Sequence, residues 1–323
     1  MSEKPRIIAV VGPTASGKTA LAVSLALELG GEVVSCDSMQ VYRQMDIGTA
    51  KPTLDERCGV RHHLLDIAEP EQAFSVVDYL AAANAAVEDI LTRGKLPIFC
   101  GGTGLYLDAF LRGGVSDTPG ADPAVREELT AFASRHGNEA LHQRLREVDP
   151  ESADAIHPNN LRRVVRALEL WQVTGVTKSE WDRRSRTLPA RFDATVLGLS
   201  FHHRELLYER IERRVDQMLR EGLVEETGKL LARGVFEHSP TAAAAIGYKE
   251  LLPYLGGECD LESAVLELKT ATRRYAKRQL TWFAAKEYVN WLTVDEKEQK
   301  TMRKYEEIVK TALELCARGR DML

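Results

Sequence analysis

The chain has 323 residues, 44% of them hydrophobic and 28% charged, and a formal net charge of −5. That length and composition suit one large globular domain or two ordinary ones and exclude a low-complexity or disulfide-stapled chain. No apolar run approaches the length of a membrane span, and the acidic balance argues against indiscriminate nucleic-acid binding while allowing local basic patches. The five cysteines (Cys36, Cys58, Cys100, Cys259, Cys316) are scattered, odd in number and without a C-x-x-C pair, which predicts reduced, mostly buried thiols and no structural zinc. Met1-Ser2-Glu3-Lys4-Pro5 runs straight into an apolar segment. That leaves no room for a secretory signal, so a cytoplasmic protein is expected.

In chain order, residues 7–11 form the first expected strand, followed at once by Gly12-Pro13-Thr14-Ala15-Ser16-Gly17-Lys18-Thr19 and a helix from Thr19 to about Leu29. This is G-x-x-x-x-G-K-[ST] in the context it needs, strand into glycine turn into helix. Glycines let the backbone wrap an anion with successive N–H groups, and the helix N-terminus adds a favourable dipole. Lys18 can neutralise a terminal phosphate, and the Thr19 hydroxyl can ligate Mg²⁺. Further strands are expected at 32–35 and 96–100, with a helix over 76–92 between them. Strands alternating with helices predict an α/β fold with a parallel sheet, its ligands at the carboxyl ends of the strands. All three strand ends carry notable residues: the P-loop, Asp37, and Gly101-Gly102-Thr103-Gly104-Leu105-Tyr106.

After a turn-rich stretch at 113–120 the pattern becomes helical and charged, until an apolar run at 194–200 returns to the sheet. Residues 1–114 and 191–323 are therefore expected to form one P-loop core, P-loop NTPase-like with helices flanking the sheet. Residues 115–190 are expected to be an inserted helical domain. A short strand is expected at 290–294. Two segments are basic. From His157 to Arg191 there are eight Lys/Arg against three acids, and from Lys269 to Arg278 five basic residues and no acid. These are the places to expect a polyanion.

Further stretches complete a set: Asp37-Ser38-Met39-Gln40-Val41-Tyr42, Asp46-Ile47-Gly48-Thr49-Ala50-Lys51-Pro52, His62-His63-Leu64-Leu65-Asp66, Ile246-Gly247-Tyr248-Lys249-Glu250 and Thr272 to Phe283. In this order and spacing, from about Arg6 to Leu292, the chain resembles the bacterial tRNA dimethylallyltransferase (tRNA isopentenyltransferase) family. The resemblance implies transfer of a dimethylallyl group from dimethylallyl diphosphate to N6 of adenosine 37 in tRNAs reading codons that begin with U, with release of diphosphate. It also implies a P-loop that holds an isoprenoid diphosphate rather than ATP, despite its ATP-binding signature.

Within that reading Lys18, Thr19 with Mg²⁺ and the P-loop N–H groups surround the leaving diphosphate. An arginine from residues 210–214 completes the clamp; the family match places it at Arg214, with Arg213 an alternative. Asp37 matches the family's proposed general base, and equally suits a turn cap or a place in magnesium's water shell. Thr103 can hold the amine or a diphosphate oxygen. Asp37, Ser38, Met39, Gln40 and Thr103 match family positions that contact tRNA, though Ser38 and Gln40 are also natural turn residues. For the anticodon stem-loop the resemblance adds Arg126 and the segment Arg162-Arg163-Val164-Val165-Arg166, whose arginines suit phosphate contacts. Arg163 and Arg166 also have helical spacing for pairing with neighbours such as Glu169.

Trp171, on the stripe Val164-Leu168-Trp171, is expected in the core, while Trp181 is a candidate stacking platform. Leu280, Trp282 and Phe283 are expected to pack inward, with Arg273, Lys277 and Arg278 facing the tRNA or the diphosphate. His62 and His63 are expected to be structural. Ala242-Ala243-Ala244-Ala245-Ile246 departs from polar or basic residues found in some family members, and no zinc-finger tail of the kind eukaryotic relatives add is expected. A monomer is expected. The competing readings are a small-molecule P-loop kinase, with Asp37 as base for a hydroxyl, and an isopentenyltransferase acting on free adenine nucleotides.

Overall fold

Six strands form one parallel sheet: β1 (Arg6–Val11), β2 (Gly31–Ser35), β3 (His62–His63), β4 (Leu96–Cys100), β5 (Asp193–Ser200) and β6 (Val289–Thr293). Their order is β3-β2-β4-β1-β5-β6. The computed structural model describes residues 4–113, 120, 122–187 and 190–318. β1 lies at the centre because Ile7, Ile8, Ala9, Val10 and Val11 are apolar on both faces, and all five are buried. It pairs with β4 on one side (Ile8 opposite Ile98) and with β5 on the other (Ile8 opposite Thr195). Helices Lys18–Leu29 and Tyr305–Arg318 contribute Leu21, Leu25, Ile308 and Ala312 to a core shared with Ile8, Val10, Leu197 and Leu199.

Each of the five expected strands is present, its ends within one residue of the apolar run that predicts it. The helix expected over 76–92 spans Val76–Thr92 because Ser75 and Asp78 close a capping box at its start. The edge strand β3 is an addition. Its two residues are histidines with no apolar run to announce them, and His63 Nε2 is held by Glu32 at 2.7 Å. His62 Nδ1 bonds the Val60 carbonyl, so both histidines are structural here.

The chain divides into two compact units, residues 1–110 with 192–323, and residues 111–191. The turn-rich junction expected at 113–120 lies, apart from Gly113 and Gly120, outside the described residues. The second unit packs helices Pro123–His136, Asn138–Val148 and Leu161–Thr174 around Leu129, Leu141, Leu145, Val164 and Leu168. Trp171 corrects the sequence expectation: its side chain is 37% exposed. Among the described residues, the apolar cluster of this unit includes Val164 and Leu168 of the stripe and not Trp171. Of the cysteines, which are free thiols, Cys36 and Cys316 are buried, Cys100 and Cys259 half-buried and Cys58 exposed.

Candidate active site

The parallel order places the carboxyl ends of β2, β4 and β1 side by side, so the loops that follow them meet. The P-loop after β1 runs through left-handed backbone at Gly12 (φ 136°), Ala15 (φ 62°) and Gly17 (φ 96°). A Cβ at Gly12 would lie 2.8 Å from the Leu199 carbonyl, so the first glycine is needed for space as well as for φ. Alternating backbone handedness turns consecutive N–H groups inward, the geometry of an anion nest. Ser16 is buried and its Oγ has no hydrogen-bond partner among the described residues. A buried polar atom left unsatisfied costs stability, so this one marks a position that a ligand oxygen suits.

Lys18 donates from Nζ to the Pro13 carbonyl at 2.7 Å, folded back onto its own loop. Burial lowers its ammonium to about 8, against the nearby Cys100 and Asp37, which favour the charge, and with Arg214, which opposes it. The Thr19 hydroxyl reaches the Cys100 thiol, which burial pushes up to about 11. Burial likewise pushes Cys36 up to about 12, so neither thiol is a nucleophile near neutral pH.

Two arginines of helix Arg204–Arg220 reach the loop, one turn apart. Arg214 donates to Thr14 Oγ1 (3.4 Å) and to the Ala50 carbonyl (3.5 Å). Burial lowers its guanidinium from the usual value. Arg213 points away, 73% exposed beside Glu209, so of the two neighbours Arg214 is the one at the cradle. Arg210, which the sequence reading passed over, donates to the carbonyl of the left-handed Ala15 at 2.7 Å. Its i, i+4 spacing to Arg214 was the available signal.

Asp37, just past β2, accepts through Oδ1 from the N–H groups of Met39 (2.8 Å) and Gln40 (3.4 Å). It closes a turn rather than capping a helix, and its charge acts on Lys18, Arg214 and Tyr275. Thr103 Oγ1 accepts from the Ser38 N–H at 3.1 Å, and the Thr103 N–H donates to the Cys36 carbonyl at 3.1 Å. The β2 and β4 loops are thereby laced together. Gly101 permits it: a Cβ there would stand 2.0 Å from the Cys36 carbonyl oxygen.

Gln40 fits its turn-residue alternative. Its amide is spent inside the fold, accepting from Ser35 Oγ (3.1 Å) and donating to the carbonyls of Thr49 (3.3 Å) and Ala50 (3.1 Å). The loop it holds is anchored by Glu226, whose carboxylate accepts from the N–H groups of Asp46, Ile47 and Gly48 at 3.0–3.1 Å and from the Tyr248 hydroxyl at 2.7 Å. Glu226 was not singled out from sequence because its partners lie in motifs far along the chain.

In the second unit, Arg162 and Arg163 are exposed on helix Leu161–Thr174. Val164 and Val165 correct the expectation of a five-residue contact segment. Both are buried in the core of the unit, so only the arginines present side chains outward. Arg126 (2.9 Å) and Arg166 (2.8 Å) share the fully buried Glu169. Burial opposes that carboxylate's charge, yet hydrogen bonds from Arg166, the Asp122 N–H and Arg126 outweigh it and hold Glu169 below the usual carboxylate range. Trp181 is half-buried with its indole N–H unpartnered.

On the long helix Leu261–Ala284, Phe283 packs inward as expected and Leu280 and Trp282 are half-buried. Arg273 does not face solvent freely: it pairs with Glu212, as Lys269 pairs with Asp216. The run reads as acid-free only because its acids sit on the neighbouring helix. Lys277 and Arg278 are exposed.

A parallel sheet flanked by helices, with a glycine loop, cations and a carboxylate on adjacent strand ends, defines an α/β protein of the P-loop NTPase-like class. The model of the IPP transferase family matches residues 40–286, and the chain belongs to that family. It is 46% identical to the tRNA dimethylallyltransferase of Caldanaerobacter subterraneus over 97% of this chain and 98% of the relative. It is 49% identical to that of Halalkalibacterium halodurans over 89% and 91%. Among solved structures it is similar to the tRNA isopentenylpyrophosphate transferase of Bacillus halodurans, with TM-score 0.73 and 44% identity over 99% of this chain and 98% of that one. It also resembles a eukaryotic dimethylallyltransferase acting on tRNA, with TM-score 0.81 and 30% identity over 97% and 80%.

Proposed function

We propose that this chain transfers the dimethylallyl group of dimethylallyl diphosphate to N6 of adenosine 37 in tRNAs reading codons that begin with U, acting as a cytoplasmic monomer. The observation that carries the reading is the convergence of Lys18, Asp37 and Thr103, from three loops that meet, with Arg214 reaching in from helix Arg204–Arg220: cations for a diphosphate on one side, a carboxylate and a hydroxyl for an amine on the other. In the reaction the allylic carbon–oxygen bond breaks and diphosphate departs with the electron pair. The N6 lone pair forms the new carbon–nitrogen bond, and N6 loses a proton.

Lys18, the P-loop N–H groups, Arg214 and Arg210 stabilise the charge that grows on the leaving oxygen. Asp37 takes the proton, and Thr103 orients the amine. The donor set also fits Mg²⁺, a hard cation that keeps most of its water: Thr19 offers a hydroxyl and Asp37 a carboxylate for the water shell. Bound there, Mg²⁺ would neutralise charge on the diphosphate. Arg162 and Arg163 contact the RNA backbone, with Arg126 and Arg166 in fixed poses on Glu169 beside them. An acceptor base in a loop must leave its stack to react.

Asp37→Ala tests the role of the carboxylate. Transfer of labelled dimethylallyl should fall by about 10²–10⁴ with tRNA affinity nearly unchanged, as for the loss of a general base. A parental rate would leave Asp37 with nothing but its turn.

A further inference from the structure

Gln279 is 5% exposed on helix Leu261–Ala284, and its amide spans two of the three site loops. Oε1 accepts the N–H of Thr14 in the P-loop at 2.8 Å, and Nε2 donates to the carbonyl of Gly102 in the β4 loop at 3.2 Å. Both partners are backbone groups of fixed polarity, one donor and one acceptor, so the amide can sit only one way round. No other side chain of this length offers an acceptor and a donor together without taking up a proton. Gly102 is shaped to receive it, since a Cβ there would stand 1.8 Å from Nε2. The same helix face continues the contact. One turn earlier the Tyr275 hydroxyl reaches the side chains of Thr103 and Gln279, and Trp282 fills the space a Cβ on Gly104 would take.

We infer that Gln279 is a positioning residue that sets the separation between the donor cradle at Thr14 and the acceptor loop at Gly102–Thr103. The inference rests on the transferase reading above. The reacting carbon is carried by a group bound in one loop, and the attacking nitrogen is held by the other. Sheet pairing joins the two loops at their roots, where the Gly101 N–H donates to the Val10 carbonyl at 3.2 Å; further out, between Thr14 and Gly102, the Gln279 amide is their spacer. A displacement of about 1 Å between reacting groups costs about 10²-fold in rate. Losing the spacer should therefore lower kcat and leave each substrate's own binding surface in place.

The test uses the full chain, labelled dimethylallyl diphosphate and unmodified tRNA, with two variants. Gln279→Met keeps the length of the side chain and loses both bonds. Its kcat should fall by about 10²-fold, while KM for tRNA and for the donor stays near the parent's. Gln279→Glu keeps the acceptor for Thr14 and sets a second oxygen against the Gly102 carbonyl. The introduced carboxyl can bridge both groups only when protonated, and burial against a carbonyl favours that form. The ratio of variant to parent kcat should thus rise as the pH falls from about 8 to about 6.

A Met variant with parental kcat, one altered in KM alone, or a Glu ratio that is flat with pH would overturn the inference. Should the Met variant fail to fold, the Glu ratio decides alone. A parent that transfers no label refutes the transferase reading itself; an active parent with unaffected variants refutes only the spacer.

Discussion

Lys18 gives the site its sharpest pH signature. Burial lowers its ammonium to about 8, so the empty cradle begins to lose its charge just above neutrality. A bound diphosphate favours the charged form and raises that value again, so binding above pH 8 takes up a proton. The sign follows: affinity for the donor is level below about pH 8 and falls about tenfold per unit above it, until the lysine of the complex also titrates. The diphosphate itself is fully ionised across that window, its last proton leaving at about pH 6 as for other phosphate esters. Calorimetry with dimethylallyl diphosphate from pH 7 to pH 10 checks this, and a constant affinity would contradict it.

At this scale the P-loop residues and Asp37 were legible because each sits within a few positions of its motif. Gln279 was not, because its partners lie 265 and 177 residues away. Nor was the burial of Val165, although the stripe Val164-Leu168-Trp171 marked Val164: a basic segment says which residues carry charge, not which side of the helix they occupy.

The elements of the insertion separate two kinds of arginine. Arg162 and Arg163 stand exposed, whereas Arg126 and Arg166 are tied to Glu169. Arg162→Ala with Arg163→Ala should weaken tRNA binding and reduce the slope of log affinity against log salt by about two, while sparing the donor. Binding titrations over a range of salt check it, and equal slopes would remove both residues from the RNA.

Helix and strand positions were readable where a physical signal is local, as with the apolar run of β1 or the Ser75–Asp78 capping box. β3 was not, being two histidines of which His63 is held by a tertiary bond to Glu32. The basic run 269–278 misled for the same reason. Its neutralising acids, Glu212 and Asp216, come from another helix.

In the whole molecule, the strand order explains why motifs scattered over most of the chain serve one site. β2, β4 and β1 are neighbours, so Asp37, Gly101–Thr103 and the P-loop follow parallel strands to the same edge of the sheet. The alternation of strands and helices made the class of fold legible, and the strand ends made the location legible. The brace across them, from helices Arg204–Arg220 and Leu261–Ala284, appears only in three dimensions. Unlike a kinase, the proposed transferase releases the phosphates it holds and leaves the carbon attached to them on RNA.

The direct measurement incubates the chain with dimethylallyl diphosphate labelled in the allyl group, Mg²⁺ and unmodified tRNA, followed by nuclease mapping of the label. The account predicts label on one adenosine beside the anticodon, with diphosphate released in equal amount. ATP turnover with no label on the tRNA, or transfer to free adenine nucleotides in preference to tRNA, would contradict it.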